Sequence, residues 1–219
     1  MTELVYLSDP RIAALPVKEC GEPLVDLRTL SDIRVDGRLA DAEGAYAHVR
    51  KSVADRLVAA QTRLPHDLRL LVVEGLRPYA LQQDYFSDSQ VRLRAANPEW
   101  DDERTFKEAS KFVSPPDVAP HVSGGAVDLT LCTAQGEELP MGTQVNATPP
   151  ESDEACYTAF EGISARARDN RVTLGDALAW AGFVNYPTEW WHWSYGDRYW
   201  AFLTGTASAR YGPGEAAGA

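Results

Sequence analysis

Apolar and polar positions follow two different periods along this chain, and the two periods predict both helices and strands. Apolar residues three and four positions apart indicate a helical face, and short apolar runs or strict alternation indicate strands. Proline favours the first turn of a helix, and Asn-Pro or Gly favours its end. Helices are predicted on these grounds at 41–63, 78–96, 101–112 and 171–181.

Strands are predicted where the apolar runs are shorter and rich in branched or aromatic residues. Five such segments are 70–73, 127–131, 183–186, 190–194 and 198–202, with a hairpin turn at 133–136. The segment 114–120 is predicted to be an extended connection, and 148–151 a loop. Helices gathered around a mostly antiparallel sheet define an α+β fold.

The length of the chain and its last residues suggest a simple domain organisation. A chain of 219 residues is long enough to bury a substantial core. We predict one domain over 1–211. The small residues of 212–219 predict a disordered C-terminal tail.

The composition indicates which binding partners and which cellular location to expect. The formal charge of −11 argues against binding to a phosphate backbone, so no nucleic-acid partner is expected. No apolar run approaches the roughly 20 residues that span a bilayer, and the first ten residues do not resemble a signal peptide. Three widely spaced cysteines are typical of reduced thiols rather than of a disulfide framework. A cytoplasmic location is therefore predicted.

Two segments carry the strongest chemical signal. His121 is followed by two glycines and then by Asp128 on the polar face of a predicted strand, and Glu189 precedes His192 by three residues among tryptophans. Two histidines and one carboxylate form a three-ligand zinc set with an open position for water, as in catalytic zinc sites. The sequence therefore predicts a hydrolase with one zinc ion per chain and Glu189 as a base for that water.

Each segment has a plainer interpretation when it is taken alone. A single histidine is usually a surface residue or a satisfied buried donor, an aspartate can belong to a turn, and a Trp-Trp pair is more often core than site. Residues three apart on a regular strand also point to opposite faces. Glu189 and His192 can therefore act together only if the chain bends, and Pro187-Thr188 is the expected cause.

Four ordered blocks resemble the zinc D-alanyl-D-alanine dipeptidases of the VanX type, within the D,D-peptidase group whose fold is shared with Hedgehog domains. The resemblance runs from about residue 25 to residue 200. The blocks are His121-x-x-Gly-x-Ala-x-Asp128, Glu189-x-x-His192, Glu74-Gly-Leu-Arg77-Pro and Pro140-Met-Gly-Thr143. This resemblance implies that His121, Asp128 and His192 bind zinc, that Glu189 is the catalytic base, and that Arg77 stabilises the oxyanion of the transition state.

One departure from the family pattern bears on the substrate. Where the family usually has an aspartate that holds the substrate's free amino group, this chain has Asn146. An amide keeps hydrogen bonding but loses the ion pair, and charge-assisted bonds are roughly twice as strong as neutral ones. Asp117, Glu151 or Asp153 are the candidates to replace the missing charge.

Three functions are compatible with these residues. The leading prediction is a D-alanyl-D-alanine dipeptidase acting on a small peptide. The second is a zinc D,D-carboxypeptidase or amidase with a longer or N-blocked substrate, which Asn146 would allow. The third is a zinc-containing binding domain without activity, against which Glu189 and Arg77 both argue.

Overall fold

A computed structural model describes residues 4–111 and 113–214 of the chain. Its helices are α1 (Pro10–Ala13), α2 (Lys51–Gln61), α3 (Tyr79–Ala96), α4 (Asp102–Ala109), α5 (Pro149–Ser152), α6 (Ala165–Trp180) and α7 (Arg198–Thr204). Its strands are β1 (Leu24–Asp26), β2 (Arg34–Val35), β3 (His48–Arg50), β4 (Leu68–Glu74), β5 (Ala126–Thr133), β6 (Val184–Tyr186) and β7 (Glu189–Ser194).

The main sheet has five strands in the order β2-β4-β5-β7-β6. Only β2 and β4 run parallel, and every other neighbouring pair is antiparallel. A separate antiparallel pair joins β1 to β3. The predicted α+β class with a mostly antiparallel central sheet is therefore confirmed.

The core lies between this sheet and the helices α2 and α6. Leu70 and Val72 on β4, Leu129 on β5 and Leu57 on α2 have no exposed surface. Burying an aliphatic side chain of this size contributes roughly 1.5–3 kcal/mol. This packing holds β4 and β5 rigidly at the centre of the sheet, beside the strand that carries the second histidine segment.

Several sequence predictions are confirmed with small changes in their bounds. The run 70–73 lies in β4, the run 127–131 lies in β5, and the helix predicted at 78–96 is α3. Gly136 has a φ of 96° in the predicted turn at 133–136. The helix predicted at 101–112 is α4, and its predicted last residue, Phe112, lies outside the described residues.

Three local predictions are wrong. The predicted helix at 41–63 is α-helical only over α2, because residues 45–47 form a 3-10 turn and residues 48–50 pair as β3 with β1. Residues 198–202 form the helix α7 instead of a strand, since the Asp197 side chain caps it by accepting a hydrogen bond from the Trp200 amide. The predicted loop at 148–151 contains the helical turn α5, stabilised by a capping box between Thr148 and Glu151.

The two terminal segments meet at a buried arginine. Arg50 is 6% exposed and donates to the carbonyls of Glu22, Ser123 and Gly212. The Gly214 amide donates to the Val122 carbonyl at 2.7 Å. Residues 215–219 of the predicted tail lie outside the described residues, so the domain boundary at residue 211 stays a prediction. In the described part of the chain, none of the helices has the length and apolar character to cross a bilayer.

Candidate active site

Strand register brings the distant ionisable residues into one row. Asp128 on β5 is directly opposite His192 on β7 and directly opposite Glu74 on β4. Directly opposed residues of an antiparallel pair have their side chains on the same face. Three neighbouring strands therefore place Glu74, Asp128 and His192 side by side, although His192 follows Asp128 by 64 positions.

His121 reaches this row from a single 3-10 turn, Pro120–Ser123, just before β5. The turn ends at Gly124, whose φ of 69° is in the left-handed region that glycine adopts without steric cost. The chain can therefore reverse between His121 and β5 in a few residues. The predicted need for glycine after His121 is met here.

Three potential ligand atoms converge in this cluster. His121 Nε2 is 3.2 Å from Asp128 Oδ1 and 3.2 Å from His192 Nδ1, and His192 Nδ1 is 3.0 Å from Asp128 Oδ1. All three residues are at most 5% exposed. Zinc with nitrogen and oxygen ligands at about 2.0–2.1 Å in a tetrahedron separates its ligands by about 3.3 Å. The observed spacing fits one such ion.

The protonation of His121 supports the same interpretation. Its Nδ1 lies 2.7 Å from the Gly75 carbonyl, an arrangement that fixes the proton on Nδ1. Nε2 of the neutral ring then carries a lone pair directed at a carboxylate oxygen and a second imidazole nitrogen. In that neutral form, and with Nδ1 of His192 also unprotonated, one divalent metal ion would satisfy all three acceptor atoms.

The carbonyl that holds His121 is positioned by a close backbone approach. A Cβ atom at position 75 would lie 2.4 Å from the His48 carbonyl oxygen, so only glycine fits. The Gly75 amide donates to the Tyr46 carbonyl at 2.6 Å, and the Leu76 amide donates to the His48 carbonyl at 2.7 Å. The turn after β4 is thereby fixed against the segment 46–48.

Glu189 lies next to the cluster because β7 contains a bulge. Tyr186 pairs with Glu189, but Asn185 pairs with Trp193, which leaves Trp190, Trp191 and His192 without partners on β6. Glu189 Oε2 is consequently 3.9 Å from His192 Nδ1. The expected bend exists, and it consists of this bulge, which follows the Pro187-Thr188 turn.

The surrounding groups shift the pKa values of Glu189 and Asp128 in opposite directions. Burial raises the pKa of Glu189, and the negative charge of Asp128 raises it further, against the effect of His192. Burial also acts to raise the pKa of Asp128, but the two histidines outweigh it and lower that pKa. Asp128 is therefore held as an anion that can bind a cation, and Glu189 is the better proton acceptor of the two.

Arg77 is held in a fixed orientation at the edge of the cluster. Its Nε donates to Glu74 Oε1 at 2.7 Å, its Nη2 donates to Glu74 Oε2, and its Nη1 donates to Gln82 Oε1 at 2.7 Å. Tyr85 covers the guanidinium, whose carbon lies 5.3 Å from the ring centre. Three of the five N–H donors of an arginine are used in this way, and two remain.

These groups line a cleft of about 840 Å³. Arg77, His121, Asp128, Asn146, Glu189 and His192 all lie on its wall. Asn146 is exposed and has a φ of 65°, a conformation that asparagine and aspartate tolerate well. Of the three acids named above as candidates to replace its missing charge, Asp153 lines this cleft, and Asp117 and Glu151 do not. Asp117 instead accepts a hydrogen bond from Tyr79, and Glu151 caps α5.

Sequence reasoning missed three side chains that hold the site. Glu74 and Gln82 fix Arg77, and Asn185 bonds to both ends of the bulge. A signal for Glu74 existed, because a carboxylate at the end of a buried apolar run needs a cationic partner. No comparable signal marks Gln82 or Asn185, whose partners come from turns and bulges.

The family model and the similar sequences point to one family. The family model described as D-Ala-D-Ala dipeptidase matches residues 26–206. A D-alanyl-D-alanine dipeptidase of Synechocystis sp. is 28% identical over 218 residues, covering 86% of this chain and 88% of that protein. One from Enterococcus faecium is 38% identical over 73 residues, 33% of this chain and 34% of its own. The solved LdcB LD-carboxypeptidase is 19% identical with a TM-score of 0.49, covering 88% of this chain and 77% of its own.

Proposed function

Since this chain belongs to the D-Ala-D-Ala dipeptidase family and is a metallopeptidase, we propose that it hydrolyses D-alanyl-D-alanine with one zinc ion per chain. The proposed roles are zinc ligand for His121, Asp128 and His192, general base for Glu189, oxyanion stabiliser for Arg77 and substrate contact for Asn146.

The observation that carries this proposal is the convergence of three ligand atoms beside a fourth, separate acid. His121, Asp128 and His192 present atoms within 4.8 Å of one another. Glu189 lies 3.9 Å from His192 Nδ1 without joining that set, and its side chain is 31% exposed toward the cleft. A buried ligand set with a partly exposed acid next to it is what metal-assisted hydrolysis requires.

The chemistry then divides among the residues of the chain. A zinc ion held by the three ligands would polarise the peptide carbonyl and make hydroxide available near neutral pH. Glu189 takes the proton of the attacking water at its carboxylate and delivers it to the departing amine nitrogen. Arg77 offers its two remaining N–H donors to the oxyanion, and Glu74 and Gln82 keep the guanidinium from reorienting as charge develops.

The size of the cleft keeps the second function in consideration. A cleft of about 840 Å³ is in the range that encloses drug-sized ligands, which leaves room beyond two alanine residues. Asn146 carries no charge for a free amine. These two observations favour a longer or N-blocked peptide as the alternative substrate. The binding-domain function is not retained, because the chain is an enzyme.

A small peptide is therefore the proposed partner. The cytoplasmic location and the lack of a nucleic-acid partner stay predictions from composition.

The substrate proposal is tested with four compounds of defined chemistry. The zinc-loaded protein is incubated with D-Ala-D-Ala, its L,L isomer, N-acetyl-D-Ala-D-Ala and a muropeptide ending in D-Ala-D-Ala, and amine release is followed. We expect D-Ala-D-Ala to have the highest kcat/KM. Faster cleavage of the N-acetyl compound or the muropeptide would establish the alternative, and turnover of none of the four by zinc-loaded protein would refute both.

Arg77→Lys is expected to lower kcat by about 10²–10³-fold, the usual cost of losing an oxyanion donor. Lysine keeps a charge for Glu74 but is a point donor without the planar fork, so the zinc content should not change. The lysine variant is more informative than Arg77→Ala, because alanine would also leave the buried Glu74 carboxylate without a partner.

Arg38→Lys is the matched control for this substitution. Arg38 pairs with the surface carboxylates of Asp36 and Glu138. None of the three lines the cleft, so the replacement of Arg38 should leave kcat unchanged. A kcat for Arg77→Lys equal to that of the Arg38→Lys protein would remove Arg77 from the chemistry.

Asn146→Asp is expected to increase the preference for a free amine by about 1–2 kcal/mol, the difference between neutral and charge-assisted hydrogen bonds. The left-handed backbone at this position accepts aspartate, so the fold should not change. The measurement is the ratio of kcat/KM for D-Ala-D-Ala to that for its N-acetyl form.

Gln135→Glu adds the same negative charge in the exposed turn after β5 and controls for long-range electrostatics. A strong preference for the free amine in the parent protein that Asn146→Asp does not alter would assign the ammonium to another acid, for which Asp153 is the candidate.

A further inference from the structure

The bulge in β7 brings two backbone carbonyls of this strand within reach of one side chain on β6. In an uninterrupted ladder, the residues between Glu189 and Trp193 would bond to β6, but the register passes directly from Tyr186–Glu189 to Asn185–Trp193. Here the carbonyls of Glu189 and His192 both accept hydrogen bonds from one side chain, Asn185 Nδ2, at 3.0 Å each.

The orientation of the Asn185 amide follows from its three partners. Two carbonyl acceptors require the NH₂ group with its two donors, so the amide oxygen must face the third partner. That partner is the Thr158 hydroxyl, which donates to Asn185 Oδ1 at 2.6 Å. The Thr158 amide also donates to the Pro187 carbonyl at 2.9 Å. The clamp, formed by Asn185 and Thr158, is thus tied to the turn that precedes the bulge.

We propose that Asn185 is a positioning residue that sets where Glu189 stands relative to His192. The inference rests on the proposed function, in which Glu189 is the base and His192 a metal ligand. The hydrogen bonds that Asn185 makes to Glu189 and His192 go to their main-chain carbonyls, and not to the carboxylate or the imidazole. By joining their carbonyls through one nitrogen atom, it fixes the shape of the segment between them, Trp190 and Trp191, which belongs to the bulge.

The two ends of the bulge differ in how firmly they are held without the clamp. His192 is also paired with Asp128 across β5 and β7. Glu189 lies beyond that pairing, where β7 no longer contacts β5 in register, and its ladder partner is Tyr186 at the hairpin end. Loss of the clamp should therefore displace the base more than the ligand.

Asn185→Leu removes both donors while nearly keeping the side-chain shape. We expect kcat to fall by ~10–100-fold, since a misplacement of about 1 Å has costs of this order, with KM unchanged and one zinc ion per chain retained. Thr158→Val keeps Asn185 but removes its anchor, and it should give a smaller decrease in kcat of the same kind. Asn170→Leu, which removes an exposed amide bonded to the Pro140 carbonyl, is the matched control.

A double-mutant cycle separates positioning from a general structural role. If Asn185 acts through Glu189, then Asn185→Leu should reduce kcat in the parent protein and have almost no further effect in the Glu189→Gln protein. A decrease of the same size in both backgrounds would overturn the proposal, as would loss of zinc in Asn185→Leu with intact folding.

Failure of the proposed function would look different, because Glu189→Gln alone would then leave kcat at the parent value. If Asn185→Leu does not fold, the same cycle is run with Thr158→Val. Additive effects of Thr158→Val and Glu189→Gln would likewise overturn the clamp.

Discussion

His192→Ala is expected to reduce the zinc content from about one ion per chain to near zero after dialysis, and to abolish turnover. His192 presents one of three buried atoms that could hold the ion: its Nδ1 lies 3.0 Å from Asp128 Oδ1 and 3.2 Å from His121 Nε2. Catalytic zinc sites have only three protein ligands, so the two that remain would leave the ion with at least two open positions. Elemental analysis of the dialysed protein measures the effect directly.

His66→Ala is the matched control for the ligand variant. His66 is exposed in the turn before β4, and its replacement should keep both zinc and activity. His121→Ala should behave like His192→Ala. Full zinc content in both the His121→Ala and His192→Ala proteins would refute the ligand assignment.

Glu189→Gln is expected to lower kcat by ~10²–10⁴-fold, or roughly 3–5 kcal/mol in the barrier, while one zinc ion stays bound. Glutamine has the same shape as glutamate but cannot accept the proton of the attacking water. Because Glu189 lies outside the set of three converging ligand atoms, its loss as a base should not cost the metal.

The measurement compares kcat and zinc content in the parent and Glu189→Gln proteins. Glu137→Gln, in the exposed turn after β5, controls for the loss of one negative charge. A Glu189→Gln protein that turns over at the parent rate would show that the base is another group. A variant without zinc would show that Glu189 belongs to the ligand set.

The elements that could be predicted are those whose apolar residues follow a regular spacing, or an unbroken run, along the sequence. The apolar run in β4 and the Pro78 start of α3 required only neighbouring residues. The strand prediction for 198–202 was wrong because a short run rich in aromatic residues resembles a strand, whereas the Asp197 cap stabilises a helix. The helix prediction for residues 48–50 was wrong because these residues pair with β1, which is distant in sequence. A local helical spacing of apolar residues gives no sign of that pairing.

The site shows the same division between local and long-range information. The convergence of His121, Asp128 and His192 beside Glu189 agrees with what the spacing within two short segments, and their resemblance to a family, had indicated; their roles stay predictions. The supports of the site were not predictable in the same way. Gln82 acts on Arg77 from the first turns of a helix, and Asn185 acts through a bulge whose existence depends on how β6 and β7 align.

The row of opposed residues on β4, β5 and β7 also has a consequence for synthesis of the protein on the ribosome. Glu74 and Asp128 emerge well before His192, which follows Asp128 by 64 positions. Domains acquire structure as their chains emerge from the N-terminal end, yet the last of the three proposed ligands, His192, is placed beside His121 and Asp128 only when β7 joins the sheet. A nascent chain therefore has no complete ligand set until nearly all of its sheet is assembled, and the activity cannot precede the fold.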